Sequence, residues 1–231
     1  MYEKIYVSPS DQDANIYAAG NTNEAVQCTK ISTALVAALK RCGFEAMDNP
    51  TASMEEKVAE SNKWGADLHI PVHTNAFNQK LMGTRVFCFD VYGESGKVCK
   101  AILDALAPIV PGDSDGVQNA RFYEITETTA PCAYVEAAFH DHPEQAQWII
   151  DHINEIAEAI CKGVCNYFGR KYVEPEEKPV EPVTPPAPAK PIYRVFNADG
   201  KQVGAYIMED NAFNEVKRQL QSGGAAKITL S

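Results

Sequence analysis

A glutamate interrupts an otherwise apolar run, "CAYVEAAF" at 132–139, and histidines follow at 140 and 142. A carboxylate inside a buried strand is costly unless it is paired, metal-bound or held neutral. Glu136 is therefore the first candidate for chemistry. Strand alternation puts Glu136, Ala138 and His140 on one side, so His140 can flank whatever site Glu136 faces. His142 has the same parity but precedes Pro143 at a helix start, where a capping or surface role fits. His73 ends the apolar stretch "DLHIPVH" and enters a polar loop, "TNA". Glu24 opens a long helical pattern, where a glutamate also complements the helix dipole. Imidazole and carboxylate are zinc-ligand types, and both residues have a bland reading as well, as a polar strand end and a first-turn acid. His69 lies ~13 Å from His73 along the strand and reads as structural. His152 reads as a packing or surface residue in mid-helix.

Other chemistries lack their motifs. There is no GxSxG, HExxH, glycine-rich phosphate loop or dinucleotide fingerprint. The seven cysteines are odd in number, contain no CxxC, and include Cys161 and Cys165 at helical i, i+4 spacing. Reduced, buried thiols fit this pattern better than a disulfide framework or a zinc finger. Cys132 near the Glu136 strand is a nucleophile candidate, with an inert buried thiol as the ordinary reading. The net charge is −10, with 13 basic and 23 acidic residues in 1–170 and 8 of each in 171–231. An acidic main domain argues against nucleic acid or an anionic membrane surface as partner. No apolar run is long enough for a membrane span, and the N-terminus lacks the features of a secretory signal. Synthesis and folding in the cytoplasm follow as the expectation.

These residues must be positioned by alternating strands and helices. Strand patterns occur at 4–8, 44–49, 67–73, 83–90 and 132–139. Helical patterns occur at 23–43, at 53–65 (opened by a Ser53–Glu56 capping box), at 94–110 and at 143–169. The expectation is an α/β domain over 1–171, with a central, mostly parallel sheet and helices on both faces. Ligands of such folds bind beyond the carboxyl ends of the strands. Ser8–Asp13, His73–Asn75 and Glu136–His142 fall there. Seven of the fourteen prolines lie between 175 and 191, so 172–191 reads as a semi-rigid linker. A small ββαβ module over 192–231 follows, its helix capped by Asp210 or Asn211 and packed through Phe213, Val216 and Leu220.

Taken together, "NE" at 23–24, "SNKWGADLHIPVHTNA" at 61–76 and "APCAYVEAAF" at 130–139 resemble the zinc-dependent N-acetylmuramoyl-L-alanine amidases of the amidase-3 type. The resemblance covers about residues 3–168. It implies that Glu24 and His73 are zinc ligands and that Glu136 is the catalytic glutamate. Gly83 fits the glycine after the histidine loop. One departure is plain. The family carries a histidine ligand in a "DPGHGG"-like segment after the first strand, and here that segment reads "SPSDQD". Three readings are open: His140 supplies the missing imidazole, Asp11 or Gln12 supplies an oxygen, or no metal binds.

The resemblance implies a Zn2+-dependent hydrolase acting on peptidoglycan, at the amide between N-acetylmuramic acid and the L-alanine of the stem peptide. Asn75, Asn15, Glu124 and Arg85 are the expected substrate contacts, from their loop placement. The alternative is a metal-free wall-binding or regulatory relative. A cell-wall substrate without a secretory signal fits a phage or prophage endolysin released by a holin, or an autolysin linked to sporulation or lysis. The small C-terminal module reads as wall-targeting, faintly like a sporulation-related repeat, with self-association as the competing role.

Overall fold

The computed structural model describes residues 3–176, 192–206, 208–222 and 224–230. It divides into two compact units, Met1–Pro175 and Glu176–Ser231. The stretch 177–191, which holds most of the expected proline linker, lies outside the described residues.

In the first unit a six-stranded sheet has the order β2-β1-β3-β6-β4-β5. The strands are β1 (Lys4–Pro9), β2 (Glu45–Asp48), β3 (Leu68–Asn75), β4 (Arg85–Cys88), β5 (Val117–Asn119) and β6 (Tyr134–Phe139). All neighbours are parallel except β4 against β6. One face carries Ile5, Val7, Ile70, Val72, Val135 and Ala137. It packs on α1 (Glu24–Arg41), α3 (Glu94–Leu106) and α6 (Ile153–Phe168), and this is the main core. The opposite face is covered by α2 (Met54–Trp64) and the five-residue α4 (Tyr123–Glu127). Its strand residues are polar or aromatic. Tyr6 donates to Glu60 of α2 at 2.7 Å, and His69 meets Ser61 of α2 at 2.9 Å. Among the described residues no helix is long and apolar enough to cross a membrane.

Local signals explain the helix ends. The Asn23 side chain accepts from the Val26 amide at the start of α1. Ser53 and Glu56 form the expected capping box, and Gly65 ends α2 in the left-handed conformation. The single helix expected over 143–169 is instead two, α5 (Pro143–Asp151) and α6, broken at His152. The His152 ring stacks on Trp148 at 4.7 Å and its Nδ1 meets the Trp148 carbonyl at 2.8 Å, so this side chain competes with the helix for backbone groups. His142 occupies the N-cap of α5 but makes no side-chain cap. The sequence reading missed β5 and α4, both short and without clear periodicity.

Helices α3 and α6 approach closely at Gly163. A Cβ there would stand 2.4 Å from the Ile102 Cα. Overpacking ordinarily costs about 1–3 kcal/mol, and the helix-propensity gain of Gly→Ala returns ~1 kcal/mol. Gly163→Ala is therefore expected to lower stability by a net of up to about 2 kcal/mol. Urea unfolding of the two proteins checks it.

The second unit is a ββαβ arrangement. β7 (Tyr193–Asn197) pairs with β8 (Gln202–Tyr206) and β9 (Ala226–Leu230), and α7 spans Glu209–Gln221. Two expectations are corrected. The N-cap is Met208 rather than Asp210 or Asn211. The helix also turns a different stripe inward: Ala212 and Glu215 are buried, while Phe213 and Leu220 are about half exposed.

Candidate active site

The carboxyl ends of β1, β3 and β6 converge on a polar cluster. His73, near the end of β3, lies in register with Glu136 of β6. Its Nδ1 is 2.9 Å from Glu24 Oε1 and its Nε2 is 3.4 Å from Glu124 Oε2. Two carboxylate acceptors, one on each nitrogen, are both satisfied only by the doubly protonated ring. Burial depresses the His73 pKa, but the bonds to Glu124 and Glu24 outweigh it and raise it to about 9. Tyr134 stacks on the ring at 4.5 Å and fixes its plane.

Glu24 sits at the first turn of α1, 1% exposed. Asn15 donates to its Oε2 at 2.7 Å, and the Thr74 amide donates to its Oε1 at 3.3 Å. Burial opposes its ionisation, yet the bonds from His73, Asn15 and Ser10 hold its pKa below the ordinary value. The Gln12 side chain completes this cluster. Its amide nitrogen lies 3.4 Å from His73 Nδ1 and its oxygen accepts from Asn15 at 2.8 Å.

Glu136 differs from its neighbours. Its side chain reaches the surface in part, but its Oε2 is sealed from solvent and has no hydrogen-bond partner. Burial pushes its pKa up to about 7; His73 opposes this and Glu24 adds to it. A carboxyl poised near neutrality is suited to accept a proton and give it back.

Glu124 is buried deeper than a substrate contact should be. It is 2% exposed and takes hydrogen bonds from Ser8, His69 and His73. His69 Nε2 lies 3.2 Å from Oε1 and His73 meets Oε2, so one carboxylate bridges two histidines four residues apart on β3. The remaining expected contacts are spread out. Asn15 belongs to the Glu24 cluster. The Asn75 carbonyl accepts from the His140 amide at 2.8 Å. Arg85 lies in register with Glu136, forms an ion pair with Asp115 and covers the Phe139 ring at 5.1 Å.

The two replacements for the missing ligand fare poorly in this geometry. Asp11 turns away to accept from the Met54 amide at 3.0 Å, at the start of α2. His140 Nδ1 meets the Thr74 carbonyl at 2.9 Å and the Thr74 hydroxyl at 3.0 Å, and its ring stacks on Tyr17 at 5.2 Å. The parity argument for His140 fails because β6 ends at Phe139 and the β3–β6 register slips between His73 and Asn75. Among the described residues, no third His, Cys, Asp or Glu joins Glu24 and His73 in a group whose ligand atoms lie within 4.8 Å of one another. On the Glu24 side of the ring, the Gln12 carboxamide also meets Nδ1, through its nitrogen at 3.4 Å.

The residues present can still hold a divalent ion. Glu24 Oε1 and His73 Nδ1 face each other at 2.9 Å, where a metal can replace the shared proton, and the Gln12 carboxamide abuts the same nitrogen. Amide orientation is exchangeable by rotation, which would trade the Asn15 bond for a metal contact.

Beside the cluster opens a cleft of about 440 Å³, lined by Ser10, Gln12, Lys57, His73, Tyr123 and Tyr134 among others. Lys57, 1% exposed, donates to the Pro9 carbonyl at 2.7 Å and holds the end of β1. The sequence reading missed it. Its signal was a lysine at i, i+4 from Ser61, on the inward stripe of α2.

A mostly parallel α/β sheet thus carries a paired histidine–glutamate cluster and an orphaned strand glutamate toward its carboxyl edge. The chain belongs to the N-acetylmuramoyl-L-alanine amidase family, whose profile matches residues 10–166. The germination-specific N-acetylmuramoyl-L-alanine amidase of Bacillus subtilis is 29% identical over 127 residues, covering 53% of this chain and 54% of the relative. This chain thus spans about half the length of that curated relative. The fold is that of the catalytic domain of CwlV, an N-acetylmuramoyl-L-alanine amidase from Bacillus (Paenibacillus) polymyxa. The TM-score is 0.67 at 16% identity, covering 73% of this chain and 99% of that one. AmiC2 of Nostoc punctiforme superposes with a TM-score of 0.64 at 21% identity, covering 73% and 98%.

Proposed function

We propose that this chain hydrolyses the amide between N-acetylmuramic acid and the L-alanine of the peptidoglycan stem peptide. Family membership supports the substrate class. The observation that carries the chemistry is Glu136, a carboxyl held near neutrality with an unpartnered oxygen, in register with His73. Glu24 and His73 are the metal ligands in this reading, and the Gln12 carboxamide takes the place of the absent histidine. A bound Zn2+ supplies a Lewis acid that polarises the scissile carbonyl and makes water acidic enough to attack near pH ~7. Glu136 accepts the proton of the attacking water and returns it to the leaving amine. Asn15 and the Thr74 amide orient Glu24, and Tyr134 and Glu124 hold the His73 ring. Arg85 and Asn75, at the strand ends beside Glu136, are the proposed substrate contacts.

One observation favours the alternative, a metal-free wall-binding relative: among the described residues no third His, Cys, Asp or Glu closes on Glu24 and His73. Zinc held at the cleft decides, taken as the difference in zinc content between the wild type and His73→Ala. We expect close to one zinc per chain bound at the cleft in the wild type. His73→Ala should lose it, Gln12→Ala should bind it at least tenfold more weakly, and His140→Ala should keep it. Metal analysis with a wall-lysis assay checks this. Zinc loss in His140→Ala with retention in Gln12→Ala would reverse the third-ligand assignment. Absence of cleft zinc and of lysis in the wild type would leave the wall-binding reading. The proline segment and the ββαβ unit are proposed as linker and wall-targeting module, with self-association as the competing role. Action at the cell wall after holin-type release is the proposed setting.

A further inference from the structure

Three of the seven cysteines meet at one point. Cys161 and Cys165 lie one helical turn apart on α6, and Cys42 is the C-cap of α1. Their sulfurs all lie within 4.8 Å of one another, and those of Cys42 and Cys161 are 3.7 Å apart. Among the described residues no other group of three metal-ligating His, Cys, Asp or Glu side chains is this close. All seven cysteines are free thiols.

We propose that Cys42, Cys161 and Cys165 form a thiolate site for a soft cation, Zn2+ or Cu+, that fastens the ends of α1 and α6 to the segment following α6. Metal–sulfur bonds of ~2.3 Å place the sulfurs ~3.8 Å apart in tetrahedral and ~4.0 Å apart in trigonal geometry. The three thiols therefore need only small adjustments to close on an ion. Thiolates select Zn2+ and Cu+ over harder ions. Cys42 and Cys165 also lie at helix C-terminal ends, where the macrodipole favours a cation. A backbone segment closes the outer side: the Val173 amide donates to Cys42 Sγ at 3.4 Å, and its carbonyl is 3.9 Å away. That carbonyl is the nearest candidate for a fourth ligand.

This site is independent of the cleft. The helices run back antiparallel to the strands, so the C-terminal end of α1 lies where β2 begins, opposite the carboxyl ends that carry Glu24, His73 and Glu136. Cys42 is 6% exposed and the other two are fully buried, which describes a closed, structural site rather than one with room for a substrate. A bound ion would anchor residues 170–175 on the catalytic unit.

The test uses the full chain with the cleft ligand removed, His73→Ala, purified under reductant. Zinc or Cu+ is then supplied separately. We expect one metal retained per chain and a thiolate-to-metal charge-transfer band after Co2+ substitution. We also expect a rise in Tm of roughly 5–10 °C at a hundredfold excess over Kd. Adding Cys161→Ser should remove the band and the Tm response. In the wild type with an intact cleft, the same band should persist, so a destabilised variant alone cannot decide the outcome. If the wild type and His73→Ala bind Co2+ without any thiolate band, the site does not exist. Seven titratable thiols with no Tm response to either metal, or a Cys42–Cys161 disulfide forming in place of metal uptake, would overturn it equally. A missing cleft zinc with a retained thiolate-bound ion would defeat the hydrolase assignment and leave this one standing.

Discussion

Glu136→Gln is expected to lower wall-lytic turnover by ~10²–10⁴-fold, the usual worth of a positioned acid–base group, while cleft zinc stays bound. Glutamine keeps the shape and the neutral charge of the protonated acid but cannot accept a proton. Glu136 has no ligand role in this geometry: its Oε2 has no partner, and it does not join Glu24 and His73 as a three-ligand group. A Glu136→Gln protein that keeps zinc and still lyses walls at the wild-type rate would end the assignment.

The same carboxyl makes a stability prediction of defined sign. Its folded pKa is raised from the ordinary 4.5 to about 7. The fold therefore favours its protonated form, and that contribution is present below 4.5 and lost as pH rises through 7. In metal-free protein, Glu136→Gln should be nearly neutral at pH ~4.5 and more stable than wild type at pH ~8. The gain should be roughly 1–3 kcal/mol, reduced from the full shift because the side chain is partly open to solvent.

Glu124→Ala is expected to cost about 3–5 kcal/mol, the usual penalty for breaking a buried charge network by removing one partner. Ser8, His69 and His73 all lose their shared acceptor. Burial opposes the charge on Glu124, but the bonds from His69 and His73 bring its pKa to about 2. Its contribution is full above the ordinary value of 4.5 and is lost as pH falls through 2. The His73 pKa is raised to about 9, so its share is full below 6.5 and is lost as pH rises through 9. The Glu124–His73 coupling should therefore be largest between pH 4.5 and 6.5 and decline on both sides. Double-mutant cycles with His73→Gln in metal-free protein, run from about pH 2 to about pH 9, measure it. A coupling that is flat with pH would show that the pair is not ionised. Activity should also fall, since the ring that faces Glu24 loses its second anchor.

Much of the domain was legible because apolar periodicity and capping residues act locally. The Ser53–Glu56 box, Gly65 and Asn23 mark helix ends through bonds spanning a few residues. Glu136 stood out because a charge in an apolar strand violates the burial pattern. β5 and α4 were illegible, because elements of three and five residues carry no periodicity and persist through tertiary contacts. Missing α4 hid the role of Glu124, which then read as a loop residue near substrate. The helix over 143–169 was broken at His152, where side-chain bonds to Trp148 compete with the helix ladder.

From the sequence alone came the alternating α/β order, the separate ββαβ module, and the singling out of Glu24, His73 and Glu136. Those follow from side-chain type and spacing along the chain. Tertiary structure alone decided which polar groups meet. Strand parity assigned His140 to the Glu136 side, but a register slip after His73 and the end of β6 at Phe139 gave its ring to Thr74 and Tyr17. Asp11 went to the start of α2, and Gln12 came to His73. Contacts between residues distant in sequence depend on register and on which helix covers which face, and neither is written in local periodicity.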